Sequence, residues 1–323
     1  RRPPRSTQSR SSAASDVYKR QIYSFSILSS FFALWLSAQI SPSIESNIAY
    51  IMILTVGILH GSNDIMLVNH SLRSNSNISS LSIFIIYVTM VASVAILFYF
   101  VPFVALSLFV IFSSYHFGEQ HFISKTKTTN SLLYFYYISY GMLIFSMIFS
   151  SNPDEVIVIV NEITNVIVTH GFIKYLLYIS FGSTLLLSFV VHNYSRYFGT
   201  GEKNSKTLIS FKFFEEIILI LLLFVIFNMA SLIAGFAIYF IVWHSIPSLR
   251  DQIVELHTDF NKNTILLYLK NSALYWLISI VSLFVLYYVV NDDKLFISLF
   301  FSFLSAITFP HVLVMFNLFR KKS

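Results

Sequence analysis

The chain has no cysteine, and only 11% of its residues are charged. The missing thiols exclude disulfides, zinc–thiolate sites, iron–sulfur clusters and thiol nucleophiles. They say nothing about redox compartment. The missing charge excludes more, because a soluble globular chain is about one quarter charged. It removes an ordinary cytosolic enzyme, a disordered regulator and a nucleic-acid binder. Apolar side chains fill the space instead: 56% of 323 residues, including 34 Phe and 19 Tyr, with a mean hydropathy of +0.71.

The net charge of +6 misleads. Residues 1–21 carry six Lys/Arg against Asp16, and the rest carries fifteen against fourteen acids. This leader has no initiating Met and no apolar core, so it does not read as a signal peptide. It is expected to be foreign or disordered sequence outside the fold; a basic tail on anionic lipid is the alternative. Residues 22–320 read as one all-α transmembrane domain.

A helix needs roughly 20 mostly apolar residues to cross the hydrocarbon core. Ten such runs are expected, near 22–40, 47–66, 81–101, 102–123, 131–150, 173–192, 208–228, 229–247, 272–290 and 294–316. Eight spans result if two of them are re-entrant. Pro102 divides the third from the fourth, since Pro is tolerated in a helix's first turn, and Asn228 divides the seventh from the eighth. Segment 154–169 carries Asp154, Glu155 and Glu162 and reads as interfacial.

Charge bias sets the orientation. With a cytoplasmic N-terminus, the inner loops hold thirteen basic residues: Arg73, Lys125, Lys127, Arg196, Lys203, Lys206, Lys212, Arg250, Lys262, Lys270, Arg320, Lys321 and Lys322. The outer loops hold two, Lys174 and Lys294. The reading is a multi-pass protein of the cell (inner) membrane with both termini cytoplasmic.

That topology sorts the nine histidines. His60, His116 (with His121), His244 and His311 come to similar depth in the cytoplasmic half, on four different spans. His192 ends span six, where a headgroup or carbonyl explains it. His170 alone is outer. Ionisable groups inside a membrane are costly and usually functional. Without Cys, imidazole is the remaining good ligand for iron, copper or zinc, and an all-His set suits mononuclear Fe(II) with a position open for O2. No HExxH and no HxxxH pair occurs, which disfavours zincins and histidine-box di-iron enzymes.

Carboxylates stand where partners of metal-bound imidazoles belong. Asp64 follows His60 by four residues and shares its face if the helix continues. Glu119 follows His116 by three under the same condition. Glu215 and Glu216 lie deep in span seven, and one of them is expected to point inward. Aromatic residues on the faces shared with the His spans are expected to line a long apolar pocket that suits a rigid, lipid-dissolved polyene.

Four segments carry a resemblance: HGSND at His60–Asp64, YHFGEQH at Tyr115–His121, WHSIPSLRDQI around His244, and FPH ending at His311. In this order, over 22–320, the chain resembles the Brp/Blh family of membrane carotenoid-cleaving dioxygenases. The resemblance implies central cleavage of β-carotene by O2 into two retinals at a non-haem Fe(2+), and a link to a microbial rhodopsin through retinal. Some members have a second His four residues after the one matching His244; here that position is Ser248. The ligand set is therefore His60, His116, His244 and His311, with His121 in reserve as fourth ligand. His121 lies five residues past His116, about 140° around an ideal helix, so joint ligation by both needs a break near Gly118. No catalytic residue beyond the ligands and no hydride cofactor is expected.

A proton-coupled or metal-ion transporter is the competing reading, since intramembrane His, Asp and Glu also build relays. Against it, the sequence shows no paired broken helices or repeat symmetry. The charge bias yields a direct test of orientation: a reporter fused after Arg320 should behave as cytoplasmic, and a periplasmic signal there would reverse the topology.

Overall fold

A backbone crossing lipid must satisfy its own polar groups, which leaves helices and closed barrels. The structure, a computed structural model, describes residues 5–72, 79–122, 131–198, 208–290 and 296–320, and among these every regular element is helical. Thirteen helices follow in order: α1 (Arg5–Ser37), α2 (Pro42–Met52), α3 (Asp64–Leu72), α4 (Ser80–Phe100), α5 (Pro102–Phe122), α6 (Ser131–Ser151), α7 (Pro153–Thr164), α8 (His170–Phe198), α9 (Leu208–Met229), α10 (Leu232–Ile238), α11 (Ile246–His257), α12 (Lys262–Val290) and α13 (Phe296–Arg320). Two π-helical segments interrupt the α pattern, Ile53–Gly57 after α2 and Tyr239–Ser245 between α10 and α11. Outside the described residues lie several charges counted for topology: Arg73, Lys125, Lys127, Lys203, Lys206, Lys294, Lys321 and Lys322. The side chains of His192, Arg196, Lys212 and Arg320 are likewise outside the description.

Among the described residues, six helices are long and apolar enough to span a membrane: Ser80–Phe100, Ser131–Ser151, His170–Val191, Leu232–His257, Lys262–Val285 and Leu299–Phe316. The shorter Gln21–Ser37 stretch of α1 is also apolar. Burial ranks the long ones. Of the apolar stretches, 67% of α6 and 72% of Leu232–His257 are buried, against 11% in α4 and α12. The first two form the centre and the latter two the rim, where Ile85, Ile86, Leu277, Val281 and Phe284 face outward.

Several boundaries fall where the chemistry of the sequence puts them. Val101 separates α4 from α5, and Pro102 opens the new helix without losing a needed N–H. Ser231 caps α10 by accepting the Ala234 N–H at 3.4 Å, three residues past Asn228. Pro153 opens α7, which ends at Asn165 in the left-handed region (φ 56°). Helix α7 buries little beyond Val156 and Thr164.

The expected span 47–66 is not one helix. It turns at residues 60–63, with Gly61 N–H to Ile58 O at 3.2 Å and Ser62 N–H to Leu59 O at 3.1 Å, and restarts at Asp64. Ser62 Oγ also donates to Ile58 O (3.0 Å), and Asn63 donates to Tyr268 O (3.2 Å). These small polar side chains compete with the helical ladder for its backbone groups. By contrast, α5 runs unbroken through Gly118.

Gly118 serves packing instead. A Cβ there would stand 2.1 Å from Tyr137 O, and one at Gly141 would stand 1.9 Å from Ser114 O. Small residues let helix backbones approach closely in membranes, and α5 and α6 meet at these two points, on either side of His116. Gly118→Ala or Gly141→Ala should cost at least about 1–3 kcal/mol by overpacking. The drop in unfolding midpoint in detergent checks this; an unchanged midpoint would mean that the helices separate freely.

Candidate metal centre

The two π segments deliver two of the histidines. A π turn widens the helix and leaves carbonyls available to side chains, and such turns are frequent at functional sites. After the first, His60 sits at the helix break with Nδ1 bonded to Gly57 O. Trp276 Nε1–H caps Leu54 O at 3.0 Å. In the second, which carries His244, Ser245 Oγ donates to Phe240 O (2.7 Å), Ser26 Oγ to Val242 O (3.1 Å) and Gln120 Nε2 to His244 O (3.0 Å). Helix α1 adds a second hold there, since Trp243 Nε1–H donates to Ser30 Oγ at 2.9 Å.

Helices α5 and α13 supply His116 and His311. The four imidazoles form a closed cycle of edge-to-face neighbours. Ring centroids stand 5.1 Å apart for His60 and His244, 4.8 Å for His244 and His116, 5.2 Å for His116 and His311, and 4.6 Å for His311 and His60. All four residues are buried. The tightest part is a trio, with one nitrogen each of His60, His244 and His311 within 4.8 Å of the others. Nitrogens bound to one divalent ion at roughly 2.1 Å lie up to about 4.2 Å apart, so small shifts suffice.

The donor set fits such an ion. His311 Nε2 and both nitrogens of His116 are buried without a hydrogen-bond partner. An orphaned buried polar atom is expensive, and a bound ion is among its ordinary explanations. Moreover, the backbone carbonyl of Gly57 only accepts, so the hydrogen bond to it assigns the proton of His60 to Nδ1 and leaves Nε2 as a lone pair.

Asp64 is fully enclosed and holds His311, not His60. Its Oδ1 lies 2.8 Å from His311 Nδ1, and its Oδ2 accepts the Tyr87 hydroxyl at 2.9 Å. The sequence spacing misassigned this partner because the helix breaks between residues 60 and 64. Sequence reasoning missed Tyr87, one of 19 tyrosines, with no local motif to single it out. The arrangement is a hydroxyl–carboxylate–imidazole chain of the kind that fixes a metal-binding His in one tautomer and orientation.

The other carboxylates go elsewhere. Glu119 accepts from Tyr115 OH at 2.5 Å and leaves Oε2 unpartnered; it does not bond His116. Glu216 pairs with His121 at 2.7 Å, while Glu215 is exposed. His121 stacks on Tyr140 at 5.0 Å and stands apart from the four-ring cycle. Ser248, fully buried, accepts from Gln252 (3.1 Å), whose Oε1 takes the Tyr268 hydroxyl (2.7 Å).

A cleft of about 290 Å³ ends on His60, Asp64 and His311. Its walls are mostly apolar, with Phe84 and Val91 of α4, Ile278 of α12, and Phe303 and Ile307 of α13, among which stand the hydroxyls of Tyr275, Ser279, Ser282 and Thr308. Because α4 and α12 are rim helices, the cleft lies toward the outer surface of the bundle.

Asp64→Ala should lower retention of a divalent metal by roughly 10–100-fold without abolishing it. His311→Ala should lose the metal, whereas His121→Ala and the exposed His170→Ala should keep it. Metal content of the purified variants checks all four. Retention in His311→Ala with loss in His121→Ala would move the site.

A family model described as Beta-carotene 15,15'-dioxygenase matches residues 51–319. No curated protein and no solved structure matches the chain.

Proposed function

The chain belongs to the β-carotene 15,15'-dioxygenase family, and from that premise we propose that it cleaves β-carotene at the central double bond with O2, giving two all-trans-retinal molecules, at an Fe(II) held by His60, His116, His244 and His311. The observation that carries this reading is the convergence of four buried imidazoles, with three nitrogens lacking partners, two of the rings (His60 and His311) lining a mostly apolar cleft.

Iron is preferred because the family's chemistry uses O2, which redox-inert zinc does not activate, and because imidazole suits iron. Bound there, Fe(II) supplies the oxygen activation. The protein's own part is binding, orientation and exclusion of water. Asp64 accepts the Nδ1 proton of His311 and leaves Nε2 free; the Gly57 carbonyl does the same for His60. Tyr87 fills the second oxygen of Asp64, so the carboxylate has one orientation. The mostly apolar cleft walls bind a rigid hydrocarbon. No acid or base is needed at the reacting carbons, since both oxygen atoms of O2 end in the two aldehydes.

A lateral cleft suits a substrate dissolved in the bilayer. The same reading includes ten spans over residues 22–320 in the cell membrane, both termini cytoplasmic, supported by the charge bias. The retinal serves a microbial rhodopsin.

Expressed without residues 1–21 in a β-carotene-making host, the protein should bleach the cells and yield retinal. Unchanged carotene, with protein present and iron supplied, would overturn the dioxygenase reading. Equimolar products of unequal length would instead overturn central cleavage alone.

A further inference from the structure

A symmetric polyene cut at its midpoint needs equal room on both sides of the reacting centre. The cleft on His60 and His311 provides for one half. A second, separate cavity of about 110 Å³ lies between α5, α6, α7, α10 and α13. Among its walls are Phe145, Val156, Ile159, Val160, Phe236 and Phe301, and every lining side chain is apolar. Nothing in the site as described uses it.

We propose that this chamber receives the cyclohexenyl ring end of the substrate's second half. The inference rests on the reading of central cleavage. Three observations carry it. The first is the chamber's chemistry. An apolar cavity of roughly 150 Å³ stays dry and takes a benzene-sized guest; this one is smaller and has no polar wall to hold water. A hydrocarbon ring is the matching ligand class, and the methylated ring end enters once the flanking Phe side chains turn aside.

The second is the connection to the histidines, which consists of aromatic rings only. One column runs from His244 to Phe240 (5.6 Å, stacked) and on to Phe236 (5.3 Å, stacked), which is a wall of the chamber. The other runs from His244 to Phe117 (4.7 Å) and on to Phe145 (5.4 Å, stacked), another wall of the chamber. Phe240 also lines the first cleft, so one ring column borders both cavities. Gly57 permits this: a Cβ there would stand 2.7 Å from the Phe240 ring. Rotation of rings of this kind, rather than movement of a helix, joins the two spaces around the histidines.

The third is the roof. Helix α7 lines one side of the chamber with Val156, Ile159, Val160 and Ile163, while Asp154, Glu155 and Asn161 are exposed. These side chains also pack against the apolar core, so the same face of α7 holds the helix in place and covers the chamber on its side.

The test fills the chamber from the roof, away from every histidine. Ile159→Trp is made in the full chain, purified and supplied with iron. Two substrates are compared: β-carotene, and a β-apocarotenal that keeps one ring end and stops in an open-chain aldehyde past the central bond. Ile159→Trp should lower kcat/KM for β-carotene by about 10-fold or more and leave the apocarotenal within about 2-fold. It should also lower the β-carotene retained by the protein without oxygen, read by visible absorbance. Equal losses on both substrates at unchanged iron content would reduce the chamber to a structural void, and no loss on either would show that it stands unused; each result overturns the proposal. Val160→Phe carries the same comparison should Ile159→Trp fail to fold. A wild-type protein that makes no retinal while loaded with iron would defeat the dioxygenase reading and this inference together, a pattern that no variant-specific result can imitate.

Discussion

A backbone carbonyl inside an apolar bundle has no water to bond, and the fold around the four histidines is organised by that constraint. Two stretches of π helix put His60 and His244 where they are, and each widened turn is held by donors from elsewhere. Trp276 reaches Leu54 O, Ser26 reaches Val242 O, and Gln120 reaches the carbonyl of His244 itself. These bonds come from α12, α1 and α5, so three helices distant in sequence are tied to the two that bend. A net hydrogen bond is worth only about 0.5–1.5 kcal/mol, but leaving one partner buried and unmade costs about 1–3 kcal/mol. The irregular backbone is therefore stable only when its neighbours are in place.

The same accounting governs the imidazoles. His60 and His311 each spend one nitrogen on an acceptor, the Gly57 carbonyl and the Asp64 carboxylate. His116 spends neither. A tetrad of this kind has a division of labour: two rings are locked by the protein, and His116 is placed by the close approach of α5 to α6 at Gly118 and Gly141. Its orientation thus depends on backbone packing rather than on a polar partner.

Much of this was legible in the sequence, and the failures have physical causes. Membrane depth, joined to the family resemblance, pointed to His60, His116, His244 and His311 with His121 in reserve, and the structure brings the four rings together. Pro102 marked a helix start because its ring forbids an interior position. The break at 60–63 was hidden, because Gly61, Ser62 and Asn63 lie inside a hydropathic run that reads as one span. That hidden break sent Asp64 to His311, 247 residues away, instead of to its neighbour in sequence. The π segments left no periodic signal, since five or seven residues are too few to shift a pattern read over a whole helix. Glu119 and Glu216 found nearer phenol and imidazole partners than the tetrad. Tyr87 became visible only once α4 was seen beside the turn at Asp64.

Helix α1 lies upstream of residues 51–319, the part of the chain that carries the family's likeness. Yet its Ser26 and Ser30 hold the backbone and indole of the turn that presents His244, and Tyr23 meets Trp243 edge to face at 5.6 Å. The irregular turn that presents His244 therefore takes part of its rigidity from outside the matched residues, and shortening the chain to 51–319 would remove that brace together with the helix.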